Sequence, residues 1–282
     1  MRALLPLFFL LVLVPLLLLA RPAVADEPKK PVPHTDEQVA PALEQFKKDF
    51  ASEDMDKRLK AVRTLGHWRH KDVLKEMKRI FLKEEDLELK AAAAEGLGCQ
   101  TPFASESGRT LTEWLDLWKG WASREDPKGD DEIRNEDEAR VLIAALDAVG
   151  DLGWKEGWKT LKPFIEHDHD FVAGAMMATC GKWKEYRALP TLLEWFNFYP
   201  DGYSWSGGSV KVDTGAAGGA DAAAAKAKWS ARYGGRAKKA RPNTLEAMLK
   251  ALKDITGVEF EKPDQLKQWM EDNKALLKKN GV

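Results

Sequence analysis

Apolar residues recur every three or four positions along most of the chain after residue 38, and almost no stretch alternates apolar with polar residues. The first spacing places apolar side chains on one face of a helix, whereas alternation is typical of a half-buried strand. The pattern therefore predicts an all-α fold. Residues 26–37 are rich in proline and charge and lack any period, which is typical of a flexible N-terminal segment.

Four of the predicted helices share one recurring pattern. Each begins with an acidic residue, carries small and aliphatic residues on one face, and ends at a glycine. The acidic residues are Asp56, Asp86, Glu136 and Asp170, and the glycines are Gly66, Gly98, Gly150 and Gly181. We expect the acidic residues to cap the helix N-termini and the glycines to adopt the left-handed conformation at the C-termini.

The spacing of these glycines predicts a structural repeat. They lie 32 residues apart between positions 66 and 98, and 31 apart between positions 150 and 181. A second amphipathic helix, over 71–83 or 155–167, follows the first copy of each pair. A period of about 30 residues made of two helices is the signature of an α-solenoid, in which stacked helix pairs bury each other's apolar faces. We expect about five antiparallel pairs, four of them within 38–198.

Two segments of the repeat carry matching residues. Asp56–Gly66 and Asp86–Gly98 each contain an acidic residue, a Lys-Ala pair beginning four positions later, and a Leu-Gly end. Together they resemble HEAT repeats, especially those of predicted secreted bacterial proteins. The C-terminal residues Gly257, Phe260 and Trp269, with Thr256 before them, are similar to a segment that often closes such chains. The resemblance implies a HEAT-like α-solenoid, a class of protein that mostly serves as a binding scaffold.

A tryptophan-bearing helix occurs twice. After residue 98 the glycine spacing grows to 52 residues, and a helix in this stretch carries Leu111 and Trp114. The C-terminal region, 243–282, repeats the arrangement with Leu266 and Trp269. We expect each of these helices to lie across an end of the solenoid by its tryptophan face, the second as a C-terminal cap.

The longest departure from the repeat is an insertion over 199–242. Its 44 residues are rich in Gly and Ala and separate helix 186–198, which we expect to begin the fifth pair, from a partner that starts at Asn243. A long insertion of this kind in a compact domain is either functional or disordered. The aromatic residues within it, including Tyr203 and Trp205, indicate that part of it packs onto the helices.

The insertion contains the tripeptide Asp213-Thr214-Gly215. It resembles the active-site loop of aspartic peptidases, in which two close carboxylates share one proton. The chain has a single copy, and its surroundings are helical rather than stranded, so the hydrolase is the alternative to an ordinary turn or an exposed binding element. The candidate binding residues are Tyr203, Trp205, Asp213, Thr214, Gly215 and Trp229.

His167 and His169 lie two residues apart in the segment Glu166–Asp170. Histidine and carboxylate side chains are ligands for zinc and other transition metals. The segment also falls at a turn between two predicted helices, where Asp170 is placed to cap the second one. We therefore expect a structural turn, no metal and no cofactor, and keep a metal-dependent hydrolase as the alternative.

The two cysteines, Cys99 and Cys180, lie at matching ends of two repeat helices with at least one helix pair between them. Packed helices lie about 8 to 10 Å apart, which places these residues beyond the ~7 Å Cα separation that a disulfide tolerates. We predict two free, largely buried thiols.

Two tryptophan pairs have helical spacing. Trp114 and Trp118, and likewise Trp154 and Trp158, lie one turn apart. This spacing favours core or inter-repeat packing, with an aromatic platform for sugars or peptides as the alternative.

Residues 1–25 have the features of a secretory signal peptide: a positive start, an apolar run and a small-x-small end before Asp26. The alternative is an uncleaved membrane anchor, because residues 3–20 approach the length of a span. Cleavage lowers the Lys and Arg count from 44 to 42 against 45 Asp and Glu, a net charge of −3. This near balance disfavours nucleic acid and anionic lipid as partners, and the basic stretch 234–242 is typical of a solvated loop.

Taken together, these patterns favour an exported, non-catalytic scaffold, periplasmic or secreted, that binds another protein through a concave helical face and the insertion. A hydrolase acting through Asp213, or through a metal at His167 and His169, is the runner-up. A purely structural component of the cell envelope is a third hypothesis. The sequence leaves the identity of the partner and the oligomeric state open.

Overall fold

The computed structural model describes residues 31–120, 130–167, 169–198, 203–206, 209–212 and 242–282. The predicted all-α repeat fold is confirmed for these residues, which are helical apart from their turns and one short strand pair. The helices are α1 Asp36–Phe50, α2 Met55–Gly66, α3 Lys71–Lys83, α4 Leu87–Gly98, α5 Ala104–Trp118, α6 Asp130–Leu152, α7 Trp158–Leu161, α8 Asp170–Trp183, α9 Leu189–Phe198, α10 Pro242–Thr256, α11 Pro263–Asp272 and α12 Lys274–Lys279.

The helices form two layers within the unit Val32–Val282. In the inner layer α2, α4, α6, α8 and α10 lie side by side, each packed against the next, with α1 covering the outer side of α2. The outer layer consists of α3, α5, the short helical segment 155–166 that contains α7, α9 and α11. Five antiparallel pairs are therefore stacked, and neighbouring pairs share one continuous apolar core.

Only some of the acidic residues at the predicted helix starts cap their helices. Asp86 caps α4 as expected, because its carboxylate accepts a hydrogen bond from the Leu89 N–H at 2.9 Å. Asp54, two residues before the expected Asp56, caps α2. The capping prediction is wrong for Glu136, which lies inside α6, and for Asp170, whose helix has no side-chain cap.

The repeat glycines do not adopt the left-handed conformation, so this prediction was wrong. They are helical residues at the points where inner helices approach most closely. A Cβ on Gly66 would lie 2.8 Å from the Gly96 Cα, and a Cβ on Gly98 would lie 2.9 Å from the Ala148 Cα. Glycine is present at these positions because any side chain would separate the helices.

The insertion connects α9 to α10, the two helices predicted to form the fifth pair. They pack against each other as expected, and α9 also packs against α11. This pair therefore contains the insertion. Within it, β1 (Tyr203–Ser206) pairs antiparallel with β2 (Ser209–Val212), and the rest of 199–241 lies outside the described residues.

The tryptophan-bearing helix α5 lies inside the array, between α3 and the segment 155–166, which corrects the prediction that it lies across an end. Its Trp114 ring packs 4.9 Å from the Phe81 ring of α3, measured between centroids. Helix α11 follows the last inner helix and packs against α9, so its place as a C-terminal cap stays a prediction.

Candidate binding surface on the inner helices

Each inner helix exposes one narrow stripe of side chains, and these stripes together form a surface that we call the inner face. Residues three or four positions apart share one side of a helix. In α8 the stripe contains Phe171, Ala178 and Lys182, and in α2 it contains Arg63, with His67 directly after the helix end. The remaining sides of these helices are buried against neighbours, so the stripes are the part of the inner layer that can contact another molecule.

Ion pairs between helices show that the stripes lie on one side of the layer. Arg140 of α6 binds Glu88 of α4, with 3.0 Å between guanidinium and carboxylate. Lys182 of α8 binds Asp151 of α6 at 2.7 Å and lies 3.5 Å from Asp147. Exposed ion pairs of this type contribute less than about 1 kcal/mol each, so they define the charge pattern of the face more than its stability.

The centre of the inner face has small side chains. Ala91, Ala144 and Ala175 lie between the charged rows on α4, α6 and α8, and each is buried because the neighbouring helices are close. A floor of alanines brings the helix backbones near the surface. It gives an elongated ligand a shallow path across several helices.

Burial and ion pairing shift the pKa values of Lys182 and of the neighbouring Asp147 carboxyl. Burial raises the pKa of the Asp147 carboxyl, and the neighbouring Lys182 opposes this only in part. Burial acts to lower the pKa of the Lys182 ammonium, but the hydrogen bond to Asp151 and the charges of both carboxylates outweigh it, so its pKa is raised. Lys182 therefore stays charged and places a positive charge on the inner face at α8.

Cys99 lies on the same surface beside His67. The Cys99 Sγ is 3.9 Å from the His67 Nδ1. Partial burial raises the pKa of the Cys99 thiol, with Arg69 opposing and Asp151 and Glu95 adding to the rise. The thiol is therefore neutral at physiological pH, which is unfavourable for a nucleophile. Both cysteines are free, as predicted; Cys99 is half-buried and Cys180 fully buried.

The start of α8 carries an exposed aromatic ring. Phe171 is 53% exposed, and its ring centroid lies 6.1 Å from that of the buried His169. The His169 Nε2 lies 3.6 Å from the carboxylate of Glu136 on α6. An aromatic side chain in this position contributes little to the core of its own chain.

No known family model matches the chain, and no curated protein is similar to it.

The predicted site residues of the insertion are only partly described. Tyr203 and Trp205 lie on β1, opposite Val212 and Val210 of β2. Asp213, Thr214, Gly215 and Trp229 lie outside the described residues, so the turn, binding-element and peptidase hypotheses for them stay predictions.

The two histidines of the turn have structural contacts. The His167 Nδ1 accepts a hydrogen bond from the His169 N–H at 3.0 Å. Asp170 accepts one from the Thr244 N–H at 3.0 Å, and the Thr244 hydroxyl also donates to Asp170. This contact joins α8 to the first turn of α10. Among the residues that the structure describes, no group of three or more His, Cys, Asp and Glu side chains is arranged to hold a metal ion.

The tryptophan pairs pack against other residues of the chain. Trp114 and Trp158 are buried, and Trp118 stacks on Trp114 with 5.2 Å between ring centroids. The Arg187 guanidinium lies over the Trp158 ring at 5.2 Å, and Trp154 fills the space above Gly108. These contacts favour the packing interpretation over an exposed aromatic platform.

Sequence reasoning missed Phe171, although a signal for it existed. Phe171 lies ten residues before Gly181, and the residues ten before Gly98 and Gly150 are Glu88 and Arg140. Aligning the repeats on their glycines therefore places an aromatic residue in a row that is otherwise charged. Phe171 therefore gives this row of the inner face an apolar contact point.

Proposed function

We propose that this chain is an exported, HEAT-like helical scaffold without catalytic activity, which binds another protein through the inner face. Residues 1–25 serve as the signal peptide, and the mature chain works in the periplasm or outside the cell. The proposal rests on the side chains of the inner face. Its charged rows and the Phe171 ring are arranged across consecutive helices without being needed to close the core.

Repeat arrays of this type commonly bind extended surfaces, because every added pair lengthens the same face. The small central side chains support this use, since they let a partner approach the helices closely. No helix among the described residues is long and apolar enough to cross a membrane.

The proposal is tested by capture from an envelope extract with three forms of the mature chain. The forms are the native chain, Asp213→Ala, and a chain in which 201–240 is replaced by a short Gly-Ser linker. We expect the native chain and Asp213→Ala to retain the same partner. A partner held tightly by Asp213→Ala and only briefly by the native chain contradicts the proposal, because it indicates a trapped substrate and favours the hydrolase.

A further inference from the structure

We propose that the exposed ring of Phe171 on α8 and the carboxylates of the inner helices α4, α6 and α10 bind a basic segment of the partner that carries an apolar side chain. This inference rests on the proposed function and specifies the chemistry of the partner. We call the binding site, formed by Phe171, Glu136, Asp137, Glu88 and Glu246, the Phe171 patch.

The exposed ring of Phe171 supplies the apolar part of the site. Helix α8 is otherwise almost entirely buried over 172–177, and the exposed ring lies one residue before this run. Burying an aromatic side chain removes about 150 to 250 Å² from water, and aromatic anchors are the residues that most often dominate binding energy at interfaces. A single apolar side chain on the partner is enough to cover Phe171.

Among the residues that the structure describes, carboxylates outnumber cations on this part of the inner face. Glu136 is 59% exposed, and Glu88 and Asp137 both lie against Arg140, at 3.0 and 3.5 Å. Arg140 therefore compensates one of these three carboxylates. Glu246, which is exposed on α10, extends the negative charge beyond α8. Complementary charge steers a basic segment to this patch and disfavours an acidic one.

The geometry fits an extended segment. From Phe171 the stripe of α8 passes the buried Ala175 to Ala178, a rise of about 10 Å at 1.5 Å per residue. An extended chain covers that distance with about three residues. A partner segment can therefore place an apolar side chain on the ring while its backbone follows the small residues of the helix.

The test is a selection from a random twelve-residue peptide library displayed on phage, with the full mature chain immobilised. The library is first depleted on the Phe171→Ala chain. We expect enriched peptides to contain Lys or Arg on both sides of an aromatic or large aliphatic residue. Enrichment of acidic peptides, or of none, overturns the inference.

The enriched consensus peptide is then labelled and its affinity measured by fluorescence anisotropy. We expect Phe171→Ala to weaken binding about tenfold or more and Glu136→Lys by severalfold, with affinity falling as salt is added. Leu117→Ala and Glu113→Lys, exposed positions on the outer helix α5, are the matched controls and leave binding unchanged. Equal losses in the controls overturn the inference.

Two other occupants give distinct results. If the chain's own insertion covers the ring, replacing 201–240 strengthens peptide binding about tenfold. If a second copy of the chain covers it, the protein forms a concentration-dependent dimer that Phe171→Ala abolishes. Either result overturns the inference. If capture of the native partner depends on Arg63 and Lys250 but not on Phe171, the proposed function stands and the Phe171 patch does not. If no inner-face substitution affects capture, both fail.

Discussion

At the scale of single residues, the most informative positions are glycines whose role differs from the expected one. The sequence predicted that the repeat glycines end their helices by their backbone conformation. The structure instead uses them as contact points, and the left-handed glycines are others, such as Gly153 and Gly257. Sequence spacing locates such a glycine, but it does not distinguish the two roles because both place glycine near a helix end.

We therefore expect Gly98→Ala to destabilise the protein by about 2 kcal/mol, because its Cβ would collide with the backbone of Ala148, which cannot move without separating α4 from α6. Urea unfolding measures the change. Gly120→Ala is the control, since a Cβ there meets nothing within 4 Å, and we expect it to be neutral or slightly stabilising. Equal effects at both positions contradict the close-contact role.

At the scale of helices, two of the polar contacts that join α8 to its neighbours were not predicted. Lys182 connects α8 to α6, and Asp170 connects α8 to α10. The sequence indicated Asp170 as a cap because of its place before an apolar run. Its partner, Thr244, lies 74 residues away across the insertion, which a local pattern does not detect.

We expect Asp170→Ala to cost about 2 kcal/mol, because it leaves the N–H of the buried Thr244 without its acceptor. Hydrogen exchange should then rise first in the initial turn of α10. Asp170→Asn retains an acceptor oxygen and should lose less. If hydrogen exchange in this turn is unchanged in Asp170→Ala, packing alone holds α10 in place.

The pH dependence of stability offers a test at Asp147. Burial raises the pKa of this carboxyl in the folded chain. The protonated carboxyl therefore stabilises the folded state at low pH, and this stabilisation is lost as the pH rises through the folded pKa. We expect the unfolding free energy of the native chain to fall relative to Asp147→Asn between about pH 4 and pH 7. Glu113→Gln, on the exposed surface of α5, is the control. A native chain that gains stability relative to Asp147→Asn over this range contradicts the burial effect.

At the scale of the whole molecule, the helical repeat and the number of pairs were predictable from sequence. Apolar residues and glycines recur periodically because each helix pair must stack on its neighbours. Every copy of the repeat therefore carries the same pattern. The contact of α9 with α10 across the insertion was predicted as well. The place of α5 inside the array was not, because a tryptophan-bearing helix has the same sequence pattern there as at an end. Phe171 was detectable by aligning the repeats on their glycines, whereas the carboxylates assigned to the Phe171 patch come from three other helices, which only the folded structure places on one face.

Site-specific photo-cross-linking in the native envelope tests whether partners bind the inner face. A photoreactive benzoylphenylalanine replaces Arg63 or Lys250 on the inner face, and Lys75 or Glu113 on the outer layer, all of them exposed positions. We predict a cross-linked partner from both inner positions and none from the outer ones. A partner cross-linked only from Lys75 and Glu113, or equally from all four positions, would show that the inner face is not the binding surface.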